Sequence, residues 1–127
     1  MNLQDIKMTV KHLGFNTNKN MANMNDYKIT LAYNGNKITV NYHMGLAHAI
    51  GDINLLDLLE TLLNDASSGS ANWDFEEFCG NFGYDYDSRN AFKIYNECNK
   101  IAVKLEKLFT LDELKDINKM IDERNGD

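Results

Sequence analysis

The chain has 127 residues, 43% of them apolar, which is the size of one domain with a single contiguous core. Thirteen lysines and arginines against nineteen aspartates and glutamates leave a net charge of −6, so a phosphate backbone repels the molecule as a whole and direct nucleic-acid binding is disfavoured. The longest apolar run, around Leu55 to Leu63, is broken by Asp57 and Glu60, and no basic segment followed by an apolar one opens the chain, so the reading is a cytoplasmic protein with no membrane partner.

The first fifty residues read as β structure. Tyr27, Ile29, Leu31 and Tyr33 alternate with Lys28, Thr30 and Ala32, and Ile38, Val40 and Tyr42 alternate with Thr39, Asn41 and His43. That is the period of a half-buried strand. Asn34-Gly35 lies between the two runs, and Asn-Gly suits a type I′ turn, whose two central residues need positive φ. The pattern predicts a hairpin over residues 26–43. Met8, Val10 and Phe15 predict an earlier strand beside it, and the Asn-rich stretch from Asn16 to Asn25 reads as a loop.

The remainder reads as helix. Asp52 is placed to cap a Leu-rich helix over 53–66, and Ser67-Ser68-Gly69-Ser70 reads as a flexible connection. Asn72 opens a short helix carrying Trp73, Phe75, Phe78 and Cys79 that ends near Gly83. Asp87 or Ser88 caps a longer one, along which Ala91, Ile94, Tyr95, Cys98, Ile101, Ala102, Leu105 and Leu108 form an apolar stripe. Thr110 and Glu113 have the spacing of a capping box for a last helix with Leu114, Ile117 and Ile121 inward. The expected fold is therefore α+β: one domain, 1–127, with an antiparallel sheet of about three strands in a β-rich half (1–50) packed against about four helices in a helical half (51–127).

Catalytic and metal chemistry find little support. Asp85, Asp87 and Arg89 fall at the first, third and fifth positions of a calcium loop, but Arg89 is not an oxygen ligand and the required Gly and Glu are replaced by Asn90 and Asn96. Capping of the following helix, with Arg89 paired to a carboxylate, accounts for these residues better. His12, His43, His48, Cys79 and Cys98 lack the paired spacing of a zinc site. Both cysteines lie on apolar faces and read as reduced, half-buried core residues, and no Gly-rich phosphate loop is present. The reading is a non-enzyme with no cofactor and no metal.

Charge is distributed unevenly. Residues 1–50 carry five lysines against two aspartates, residues 51–92 carry nine carboxylates against Arg89 alone for a net −8, and residues 93–127 are close to balance at −1. A dense negative stretch of this kind, gathered on one face, suits a basic groove that ordinarily holds nucleic acid.

The run from Trp73 to Cys98 (WDFEEFCGNFGYDYDSRNAFKIYNEC) resembles a signature found in small phage and prophage proteins, roughly FEDFCxEFGYDxDSRKAxxIYxAC, followed by a helix rich in Lys and Leu. The resemblance extends upstream through Tyr42-His-Met-Gly45 and the Leu-rich segment 55–66, and it covers about two-thirds of the chain. The sequence departs from the family where Leu46-Ala47 intervene before His48. Eighteen asparagines, no proline and eleven lysines to two arginines agree with an AT-rich bacterial or phage genome. Some proteins with this signature are associated with inhibition of host CRISPR systems. The resemblance implies a phage accessory protein, and together with the acidic stretch it gives the reading of an anti-CRISPR protein that binds a host CRISPR effector nuclease in the host cytoplasm. The residues expected to contact it are Asp57, Glu60, Asp65, Asp74, Glu76, Glu77, Asp85, Tyr86 and Asp87. The alternative is a regulatory or structural phage protein acting through self-association, with a homodimer as the assembly considered.

Overall fold

Period-two alternation builds the first part of the chain into three antiparallel strands, β1 (Lys7–Asn16), β2 (Met24–Tyr33) and β3 (Asn36–Gly45), in the sheet order β1-β2-β3. The computed structural model describes residues 1–16, 24–45, 53–70 and 72–126. Four helices follow: α1 (Leu55–Ser67), α2 (Phe75–Phe82), α3 (Arg89–Leu108) and α4 (Leu111–Arg124). The arrangement is α+β, and the chain divides into two compact units, Met1–Leu58 and Leu59–Asp127.

In the first unit, Asn34 and Gly35 both take positive φ, 49° and 81°, as the expected β2–β3 turn requires. Ile29 pairs across to Val10 and Val40, and Leu31 to Met8 and Ile38, so one face of the sheet is continuously apolar. Ile29 and Leu31 are fully buried and Tyr27, Ile38 and Val40 nearly so. The sheet is longer than the hydrophobic pattern indicates. Asn16 pairs with Met24 and Phe15 with Asn25, so both ends of the expected Asn-rich loop are strand; residues 17–23 lie outside the described residues. Ladder hydrogen bonds use the backbone, and polar side chains at a strand end hide them from a pattern search. A bulge interrupts the β1–β2 register between His12 and Gly14, and the φ of Gly14, 124°, is one that glycine alone adopts readily.

Along the helices the caps correct two expectations and decide a third. α1 is capped by Asn54, whose Oδ1 accepts from the N–H groups of Leu56 (2.9 Å) and Asp57 (3.2 Å); the expected cap, Asp52, lies outside the described residues. α2 is capped by Asp74, which accepts from the Glu77 N–H at 2.8 Å, while Asn72 instead donates its side-chain amide to the Ser67 carbonyl. For α3 the choice between two residues resolves to Ser88, which accepts from the Ala91 N–H at 3.2 Å. Arg89 forms no ion pair among the described residues. The Ser67–Ser70 connection is also tied down. Ser67 and Ser68 donate to the Asn64 carbonyl, and the Ser70 N–H donates to Asn99 Oδ1 at 2.6 Å. The Thr110–Glu113 capping box of α4 forms as expected, and Ile117 and Ile121 are buried.

Phe78, Cys79, Ala91 and Tyr95 form the buried cluster that joins α2 to α3, with Trp73, Phe75, Tyr84 and Ile94 packed around it. Tyr95 satisfies its hydroxyl by donating to the Trp73 carbonyl at 2.7 Å. Gly83, with φ 74°, ends α2, and the following Tyr84 N–H donates back to the Cys79 carbonyl.

Candidate functional site

Between Asn72 and Ser88 the sequence holds five carboxylates and no cation. The fold spreads them over α2 and its two flanks, an element about 12 Å long at the helical rise per residue. Asp74 caps the helix, and Glu76 and Glu77 occupy its first turn, where negative charge complements the free N–H groups. Phe78 and Cys79 turn inward, so helical spacing sends Glu76 and Glu77 outward, and both are exposed. Asp85, Tyr86 and Asp87 follow in the connection to α3, all exposed. Six of the nine expected contact residues thus share one neighbourhood.

The other three lie on α1, and their surroundings differ. Glu60 forms an ion pair with Arg124 and also accepts from the side-chain amide of Asn125 (3.1 Å). Asp65 is partly buried, and burial pushes its carboxyl above the usual carboxylate range. Asp57 is exposed and belongs to the first unit.

The same elements carry aromatic rings that exceed what the core can cover. Phe82 packs on Phe78 (centroids 4.9 Å apart) and edge-on against Trp73 (5.7 Å), yet remains 51% exposed. Phe92 meets Phe75 edge-on at 5.3 Å and is 53% exposed, and Tyr86 is 62% exposed. The buried aromatic cluster therefore reaches solvent at the end of α2 and at the start of α3. The sequence reading singled out neither Phe82 nor Phe92 as a surface residue. Two signals could have flagged them: Phe82 stands at the last position of a helix ended by Gly83, and Phe92 falls off the three- and four-residue stripe of α3.

Half-exposed rings on a segment rich in carboxylates can do one thing well. They dock a basic surface that has apolar or planar groups of its own, the rings supplying contact area and the carboxylates orientation. The same region offers no activated nucleophile. Cys79 is fully buried, and burial together with the nearby Asp85 carboxylate pushes its thiol up. Burial, Asp65 and Glu97 do the same to Cys98; both cysteines are free and more deeply buried than expected. His43 bonds Asp26 at 2.6 Å on the exposed sheet, with His48 outside the described residues. No group of three metal-ligating side chains occurs among the described residues, and none of their helices is long and apolar enough to cross a membrane.

Comparison of the chain with protein-family models, with curated proteins and with solved structures returns no match.

Proposed function

We propose that the chain is a phage-type anti-CRISPR protein that inhibits a host CRISPR effector nuclease by direct binding in the host cytoplasm, using the α2 surface and performing no reaction of its own. The observation that carries this reading is the exposure of Phe82 and Tyr86 on a segment, residues 72–88, that holds five carboxylates and no cation, with Phe92 exposed at the start of α3. Guide and target strands demand a positive groove in an effector nuclease, and an acidic surface bearing rings fits such a groove. The resemblance of residues 73–98 to the phage signature supports the same reading. In this reading the contact rests on α2, its flanks and the rings, because Glu60 pairs with Arg124 and Asn125 and Asp65 is partly buried.

A cleavage assay with purified CRISPR effectors of several types tests this. For one type, cutting of target DNA is lost when the protein is added before the DNA and retained when it is added afterwards. Full cutting by every type at a large excess of protein contradicts the reading.

A further inference from the structure

The outward face of the sheet has its own pattern. Alternation puts Lys7, Thr9 and Lys11 of β1, Lys28, Thr30 and Ala32 of β2, and Lys37, Thr39 and Asn41 of β3 on the side opposite Ile29 and Leu31. Across the register these residues form three rows: Lys7, Ala32 and Lys37; Thr9, Thr30 and Thr39; Lys11, Lys28 and Asn41. Because Ala32 is small, a depression of about 260 Å³ opens between Lys7 and Lys37, walled also by Thr9 and Thr30. Lys11 stands directly opposite Lys28, a like-charge pair that costs stability in an isolated sheet. None of the four lysines forms an ion pair among the described residues. The carboxylate further along β2, Asp26, is bonded to His43.

A sheet face with four uncompensated ammonium groups selects an anionic occupant. A nucleic-acid strand fits poorly, since the rows carry no aromatic ring on which a base could stack and the net charge of −6 opposes its approach. A carboxylate-rich protein surface with exposed rings fits well, and this chain carries one on α2 and its flanks. A ring seated over Ala32 lies between the ammonium groups of Lys7 and Lys37, a cation–π arrangement, while the surrounding carboxylates meet the remaining lysines.

We propose that the sheet face of one chain docks the α2 surface of a second copy, with Phe82 or Tyr86 over Ala32. Two different patches meet in such a contact, so it is heterologous and generates rings or open chains rather than a two-fold dimer. It also covers the surface assigned above to effector binding, so assembled protein is a reserve that must dissociate before it inhibits. The proposal stands on the charge pattern and the exposed rings, and it does not depend on the identity of an effector.

Sedimentation velocity on the full chain tests it with two charge-reversal pairs, Lys7→Glu with Lys37→Glu and Glu76→Lys with Glu77→Lys. The wild type associates with rising concentration at about 50 mM salt, and its apparent dissociation constant rises at least about tenfold at about 500 mM. Each reversed variant alone sediments as a monomer. An equimolar mixture of the two associates again, because each supplies the charge that the other has inverted, and a misfolded variant could not give this recovery. A wild type that stays monomeric at low salt, or a mixture that fails to recover, overturns the proposal. So does a wild type that binds a labelled single-stranded oligonucleotide through Lys7 and Lys37 in preference to itself.

Discussion

The two units handle their surfaces in opposite ways. The sheet separates its residues cleanly, with Ile29 and Leu31 fully buried on one face and lysines and threonines on the other. Around α2 there is no such separation: Phe78 is buried, but Phe82 and Phe92, in contact with the same cluster, are half in water. A two-residue period leaves each strand residue only two directions, so burial and exposure follow from order alone. A short helix and its flanks crowd six aromatic residues between Trp73 and Tyr86, more than one side of an eight-residue helix can bury. This surplus apolar surface in the helical unit is the one on which the proposed contact rests.

Truncation should sharpen this contrast. Phe78→Ala is expected to cost about 3–5 kcal/mol in a denaturation experiment, because the ring is fully buried at the centre of the α2–α3 cluster. Phe92→Ala, a deletion of the same ring one contact away, should cost less than about 1 kcal/mol while weakening partner binding. Comparable losses from both would mean that Phe92 is a core residue and that the surface is not surplus. In the sheet, Ile29→Ala should cost about 2–5 kcal/mol, against less than about 0.5 kcal/mol for the outward-facing Lys28→Ala.

A smaller effect separates the two residues that precede α3. Ser88→Ala should cost about 0.5–2 kcal/mol, the usual range for losing a cap, and Asp87→Ala less than about 0.5 kcal/mol. Equal costs would show that both residues cap. The smallest effect concerns pH. Burial raises the Asp65 carboxyl, so between its unfolded and folded pKa values the folded state holds a proton that the unfolded state has released, and stability falls as pH rises through that window. Asp65→Asn should flatten this part of the stability profile and leave the neutral-pH protein no less stable. A steeper decline in the variant would refute the assignment.

These comparisons also show what could be read before the structure. The hairpin, the earlier strand, the α3 stripe and the Thr110–Glu113 box were legible because each has a period or a spacing that one conformation satisfies. The caps of α1 and α2 were not. Asp52 and Asn54, and Asn72 and Asp74, are capping-competent residues two apart, and local chemistry gives either the role. Packing chooses between them: α2 starts where Phe75, Phe78 and Cys79 can face the cluster, and that phase leaves Asp74 at the cap. For the same reason, composition identified the acidic stretch but not its division. Glu60 meets Arg124 and Asn125 only because residues 64 and 65 positions away fold back to it. Asp57, Glu60 and Asp65 were therefore grouped with α2 on sequence proximity, a criterion blind to such long-range partners.

The central claim is that the surface of α2, its flanks and Phe92 makes the functional contact. Amide hydrogen exchange on the complex with an inhibited effector tests it most directly, compared with the free monomer at the same pH and salt. The account predicts new protection in peptides spanning residues 72–92, with strands β1 to β3 exchanging as in the free chain. Protection confined to residues 7–16 and 24–45, with residues 72–92 unchanged, would contradict it and assign effector binding to the lysine face of the sheet.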